Sequence, residues 1–325
     1  MAIARAKATT LLLALSAGFL LSGTGRAQQY PAHPIRMVVG FAAGGATDIS
    51  ARVLAQKLSE TVGQQVVVEN RPGAASMLAA EAVARSAPDG YTLLFANATI
   101  SMPSLFARLP FDVRKDLRAV SLAGYGPLVL TVHPSLPAKS VKDLVALAKR
   151  HPGELNYASA GQGSFTHLAM ALFVIMTDTN IVHVPYKGGG PSAIATMIGE
   201  TQITFSSVGS SLSQIKLGKL RALGVSGLKR NVALPDVPTV SEAGVAGYDA
   251  MSWYGMLVPS GTPQAVVAKL SEGSMKALSD AQLKERLLRQ GIEPATGGVD
   301  EFAPHLKREI EKWAKVIKAA GIPPQ

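Results

Sequence analysis

The chain contains no cysteine. That excludes thiol nucleophiles, zinc-thiolate sites, iron–sulfur clusters and disulfides, although a chain of 325 residues buries enough core to fold without cross-links. Charge is sparse as well: Asp, Glu, Lys and Arg make up 17% of residues against 47% apolar ones, a balance that fits a packed globular protein and excludes a disordered one. Aromatic residues reach only 6%. Lys and Arg are scattered and rarely adjoin an aromatic, so the basic stripes and stacking platforms of a nucleic-acid binder are missing. No G-x-S-x-G elbow and no H-E-x-x-H pair occurs, and the six histidines show no metal-ligand spacing. Nothing calls for a cofactor.

Long apolar runs are missing except at the N-terminus. There Arg5 and Lys7 precede the run Leu11 to Leu21, and Gly25-Arg-Ala27 supplies small residues. Residues 1–27 therefore read as a secretory signal peptide, cleaved after Ala27 so that Gln28 begins the mature chain. No cysteine follows to carry a lipid anchor, so the expectation is a soluble, exported protein in the periplasm. Arg5, Lys7 and Arg26 carry three of the formal +10 charges. The remainder makes a mild positive field, which either steers anionic ligands or simply solvates a basic surface.

Behind the signal, strands and helices alternate. Ile35 to Phe41 reads as a buried strand, Asp48 to Val62 as a helix with Ile49, Val53, Leu54, Leu58 and Val62 on one face. Gln65 to Glu69 is a second strand, Ala74 to Arg85 a helix, and Tyr91 to Ala96 a third strand after the Pro88-Asp-Gly90 turn. This βαβαβ order implies a parallel sheet. Leu128 to Val132 reads as a strand leading into a second α/β region, whose first helix starts behind the N-cap Ser140. Strands at Leu155–Ser159, Ile181–Tyr186, Gln202–Ser206 and Leu220–Val225 alternate with helices at Phe165–Met176, Ser192–Ile198 and Leu212–Leu217. Ser252 to Val258 reads as a strand returning to the first region, and helices at 263–278, 281–289 and 300–320 pack back upon it. Two α/β domains follow, joined by crossing strands near 128–132 and 252–258: residues 28–128 with 251–325, and residues 129–250.

Two junctions carry chemical promise. Gly40-Phe-Ala-Ala-Gly44-Gly45-Ala-Thr-Asp48 leads a strand into a helix through a small-residue loop, and Ser159-Ala-Gly161-Gln-Gly163-Ser164-Phe-Thr-His167 repeats the pattern downstream. Such junctions bare backbone N–H groups at a helix start, where the macrodipole favours an anion. Neither is a nucleotide fingerprint, because the G-x-G-x-x-G spacing fails and no G-K-[ST] follows; each alone is equally readable as a plain tight turn. Tyr186, Lys187 and Gly188 sit where a strand enters a glycine loop; Lys187 is a ligand contact or a solvated lysine. Asn97 and Thr99, just past the third strand, present an amide and a hydroxyl to a ligand or merely form a turn. His167 reads as a helix-start hydrogen bonder. Trp253 and Tyr254 either wall a cleft or pack a hinge. Ser213-x-x-Lys216 matches S-x-x-K, without the accompanying S-D-N and K-T-G boxes.

The chain resembles the Bordetella-uptake-gene (Bug) family, the TctC-like periplasmic receptors of tripartite tricarboxylate transporters. The likeness rests on Gly40 to Arg52, Val68-Glu-Asn-Arg-Pro-Gly73, Pro88 to Leu93, Leu109-Pro-Phe-Asp112, Gly161 to Leu168, His183 to Gly188, Leu234 to Thr239, Trp253-Tyr-Gly255 and Pro259 to Pro263. The resemblance implies an α/β, two-domain Venus-flytrap (type II) receptor with crossing hinge strands, not an enzyme. It implies a monomer that takes a small carboxylate in its interdomain cleft and passes it to a membrane permease. Carried over position by position, the grip falls on Ala43, Gly44, Gly45, Asp48, Asn97 and Thr99 in one domain. In the other it falls on Ser159, Gly161, Gly163, Ser164, His167, Tyr186, Lys187 and Gly188. Alanines 42 and 43 stand where relatives carry prolines, and Ala171 lies near a position where many carry glutamate. Two rival readings are a receptor that reports its ligand to a two-component sensor kinase, and a periplasmic hydrolase using Ser164 and His167.

Overall fold

Residues 30–324 are described by the computed structural model; the signal peptide read at residues 1–27 lies outside them. β1 (Ile35–Val39), α1 (Ala46–Val62), β2 (Val66–Asn70), α2 (Met77–Ala84) and β3 (Thr92–Asn97) open the fold. β1 pairs in parallel with both other strands, Met37 standing opposite Val68 on one side and Leu93 on the other. This is what right-handed βαβ crossovers produce. The buried face of α1 includes Thr47, Asp48, Ser50, Leu54, Leu58 and Val62. It is rotated from the purely apolar stripe, leaving Ile49 and Val53 half-buried, because Asp48 and Ser50 find partners inside. The helix expected from Ala74 starts at Met77. Ala74, Ala75 and Ser76 instead take left-handed φ values of 44°, 48° and 77°, and the turn presses Ser76 onto Gly40, where a Cβ would lie 1.9 Å from Ser76 Oγ.

α3 (Val113–Asp116) precedes β4 (Leu117–Val132), a strand of 16 residues. Then come α4 (Val141–Arg150), β5 (Asn156–Ser159), α5 (Phe165–Thr177), β6 (Val182–Pro185), α6 (Gly189–Met197), β7 (Ile203–Ser207), α7 (Val208–Lys216) and β8 (Arg221–Val225). Ser140 caps α4 as expected, accepting from the Asp143 amide at 3.1 Å. α6 and α7 each begin three or four residues before the expected start. In α7 the reason is a cap: Ser207 Oγ accepts from the Ser210 amide. β9 (Met251–Pro259), α8 (Gln264–Ser279), α9 (Ala281–Arg289), β10 (Glu293–Gly297) and α10 (Val299–Ala319) complete the chain.

The strands form one mixed sheet in the order β2-β1-β3-β9-β4-β7-β5-β6, with β10 and β8 also paired to β4. The crossing strands are longer than the sequence reading allowed. β4 and β9 run antiparallel from Leu117 opposite Pro259 to Pro127 opposite Met251, so the crossing lies at 117–127. From Leu128 onward β4 changes partners, Leu128 meeting Ser207 of β7 and Val129 meeting Val225 of β8. Gly124, Gly126 and Pro127 hide the first half of this strand from a propensity reading. β10 was not anticipated at all; it pairs with β4 through an irregular register.

The core runs along both halves of the sheet. Phe205 stacks on Tyr248 with centroids 5.9 Å apart. Trp253, edge-on to Phe302 at 5.2 Å, packs α10 against the crossing strands. α8 returns to α1, where Thr61 Oγ1 donates to Gly273 O at 2.8 Å. α10 also reaches α5 through the edge-to-face pair of Phe165 and Trp313. By its contacts the chain divides between Ala32 and His33, and His33–Gln325 forms one unit. Among the described residues no helix is long and apolar enough to cross a membrane.

Candidate ligand-binding site

The first junction begins where β1 ends. Ala42, Ala43 and Gly44 are exposed, and Gly44 takes φ 84°, a conformation that costs any other residue strain. Gly45 occupies the N-cap position of α1 and supplies no capping side chain. The first in-helix bond is the Ile49 amide to Gly45 O at 2.9 Å. The amides of Ala46, Thr47 and Asp48 are therefore left without intrahelical acceptors at the positive end of a 17-residue helix.

The Asp48 side chain is engaged within the protein. It is buried, and its carboxylate accepts from the Gly44 amide at 2.9 Å and from Asn70 Nδ2 at 2.9 Å. Arg52 Nε donates to the same carboxylate at 3.0 and 3.1 Å. Burial pushes the carboxyl pKa up, but the bonds from Arg52, Gly44 and Asn70 outweigh it and hold it below the ordinary aspartate value. Asp48 thus clamps the loop tip to the helix start. Asn97 does similar work from β3: its Nδ2 donates to Thr47 Oγ1 at 3.0 Å while its Oδ1 accepts from the Thr99 amide at 3.0 Å. Thr99 itself is buried.

The second junction begins where β5 ends and is more self-contained. Gly161 (φ 127°) and Gly163 (φ 73°) shape the loop, in which Gln162 is exposed, Gly161 half-buried and Gly163 buried. Ser164 caps α5, accepting from the His167 amide at 3.3 Å, and its hydroxyl pairs with Thr166 Oγ1 at 3.0 Å. Ser159 is fully buried; its Oγ receives the Gly161 amide at 3.1 Å and lies 2.6 Å from His183 Nε2. The chain leaving β6 lies alongside, with the Tyr186 amide on Ser159 O at 3.0 Å and the Gly188 amide on Ala160 O at 3.1 Å. Ser159, Gly161, Gly163, Ser164, His167, Tyr186 and Gly188 therefore form one cluster, with Lys187 exposed at its rim. Most of its side chains are framework, and the backbone of the tips is what solvent reaches.

Ser164 and His167 are not a nucleophile and its base. His167 Nδ1 accepts from the Gly163 amide at 3.2 Å, and the Ser164 oxygen bonds the His167 backbone rather than its ring. Burial, then the neighbouring His183, lower the His167 pKa to about 3, and burial lowers that of His183 to about 4. Both rings stay neutral at ordinary pH. Trp253 and Tyr254 are buried at the crossing strands, which decides for packing over a cleft wall. Ser213 and Lys216 are exposed on α7. Two surface hollows, of about 430 Å³ beside Lys57 and Asp280 and about 340 Å³ beside Phe106 and Ile310, contain none of the expected residues. Sequence reasoning missed Arg52, Asn70 and His183. Only Arg52, four residues after Asp48, carried a local signal.

The curled mixed sheet, crossed by β4 and β9 and bearing glycine loops at its strand ends, has the type II periplasmic-binding-protein architecture, that of a solute receptor and not an enzyme. Residues 50–322 match the family described as tripartite tricarboxylate transporter family receptor, and the chain belongs to that family. It is similar to BugT of Bordetella pertussis (strain Tohama I), 37% identical over 298 residues that span 91% of each chain. Among solved structures it is similar to an R. palustris protein with adipate, 35% identical with a TM-score of 0.86, covering 91% of this chain and 100% of that one. MatC from Rhodopseudomonas palustris with bound malate is 31% identical, with a TM-score of 0.81 and coverage of 89% and 100%.

Proposed function

We propose that this chain, exported with its signal removed near Ala27, is a monomeric receptor that closes two lobes on a small dicarboxylate. It then delivers the ligand to the membrane permease of a tripartite tricarboxylate-type transporter. The lobes are residues 28–128 with 251–325, and residues 129–250. β4 changes partners between Pro127 and Leu128, and bending there would swing one half of the sheet against the other. The observation that carries the reading is the uncapped start of α1, a row of amides held in place by Asp48 and Asn97 behind an exposed glycine loop. Such preorganised donors satisfy a carboxylate without a buried cation. The loops Gly161–Gln162 and Lys187–Gly190, exposed at Gln162, Lys187 and Gly190, supply the second lobe's contacts. Adipate and malate, bound by the similar proteins, are both small diacids.

Thermal unfolding and calorimetry with a panel of diacids, aromatic acids, sugars and polyamines test this. A true ligand at a hundred times its dissociation constant should add about 2.7 kcal/mol of stability. Silence toward every carboxylate, with a response to a sugar or a cation, would overturn the assignment.

A further inference from the structure

The binding loop of the second half is held by an arrangement whose purpose is not obvious from any single residue. His167, near the start of α5, and His183, in β6, stack face to face with centroids 4.0 Å apart and planes within 8°. Tyr157 of β5 continues the stack, 4.9 Å from His183. Each imidazole reaches one end of the same loop: His167 Nδ1 accepts from the Gly163 amide at 3.2 Å, and His183 Nε2 lies 2.6 Å from Ser159 Oγ. Ser159 Oγ in turn receives the Gly161 amide at 3.1 Å. His167 is buried, so its ring is held in the framework beneath the loop.

We propose that the His167–His183 stack is a positioning device: it fixes the Gly161–Gly163 loop in its ligand-ready shape while neither ring contacts the ligand. The chemistry requires a particular tautomer. An Nδ1 that accepts a backbone N–H is unprotonated, so neutral His167 carries its proton on Nε2. Two left-handed glycines in three residues give the loop many alternatives, and the anchored amides of Gly161 and Gly163 remove them before a ligand arrives. Preorganisation of this kind strengthens binding by lowering the ordering cost. The histidine of this junction sits three residues behind the Ser164 cap, and from there its ring folds back onto the amide of Gly163.

The consequence for affinity rests on the proposed function, but the loop's order does not, so the two are tested separately. His167→Ala should speed hydrogen exchange at Gly163 and weaken malate or adipate binding about tenfold, the equivalent of one lost buried hydrogen bond. His167→Asn, which keeps an acceptor for the Gly163 amide, should recover most of that loss. Unchanged Gly163 exchange in His167→Ala, or no recovery in His167→Asn, would overturn the proposal. Should the alanine variant fail to fold, ¹⁵N-histidine NMR of the unmutated protein decides: a bare Nδ1 on His167 supports the device, and an Nδ1–H tautomer sinks it. A protein that binds no carboxylate at all refutes the proposed function and leaves the exchange and tautomer results to judge the loop.

Discussion

Replacing Asp48 with asparagine isolates what holds the first loop in shape. The side chain keeps its volume and one acceptor oxygen, but its new NH₂ must face either the Gly44 amide or the Arg52 guanidinium, donor against donor. Hydrogen bonds to a charged group contribute about 1.5–3 kcal/mol each when buried. Here the Gly44 loop is exposed and the Arg52 side chain is 51% exposed, so solvent returns part of that loss. A net cost of about 2–3 kcal/mol follows, including the lost carboxylate at the helix N-terminus. For a chain of this length that lowers the melting temperature by about 3–5 °C. The sign with pH follows from the lowered carboxyl pKa. The ionised native Asp48 stabilises fully above the ordinary aspartate value of 3.8, and the advantage is lost as pH falls through the lower folded value. Circular-dichroism melts of ligand-free Asp48→Asn and unmutated protein at pH 7 and at stepped acid pH make the comparison. Equal melting temperatures at pH 7, or a gap that widens on acidification, would refute the clamp.

Two further outcomes are expected. Gly40→Ala should destabilise by about 3 kcal/mol or more, because its Cβ would lie 1.9 Å from Ser76 Oγ. Gly44→Ala, whose Cβ meets nothing within 4 Å at φ 84°, should cost only about 1 kcal/mol of backbone strain; urea midpoints in the reverse order would contradict the close approach. With native pKa values of about 3 for His167 and about 4 for His183 against 6.5, the unfolded chain binds more protons below that value. Stability should therefore fall as pH drops from about 6.5 toward 4 and be flat above 7. His305, lowered to about 4 by burial and then by Arg308 and Lys312, adds to the same slope, so the comparison is with His167→Asn. An identical slope in the variant would show that His167 contributes nothing to it.

Much of the architecture was legible locally. The strand-helix alternation from Ile35 to Asn97 follows from side-chain periodicity, and the Ser140 cap from a hydroxyl oxygen three residues before the Asp143 amide that donates to it. These depend on neighbours within one turn or one pleat, and so did the glycine junctions. The first half of β4 did not show, because Gly124, Gly126 and Pro127 suppress the strand signal that its pairing with β9 overrides. β10 was silent for the same reason, a strand made by its partner. Within the site, sequence marked the loops but not how their side chains are engaged: the Asp48 carboxylate accepts from the Gly44 amide and from the Arg52 and Asn70 side chains, and His167 Nδ1 accepts from the Gly163 amide.

The residue order by itself determined where each strand and helix would nucleate and which loops would need glycine, since those are questions of local sterics and hydrogen bonding. Tertiary structure alone decided that β4 serves two groups of partners, that Asn70 closes on Asp48, and that His167 meets His183. Each of those depends on strands and helices distant in sequence being brought side by side, a proximity that no local pattern encodes.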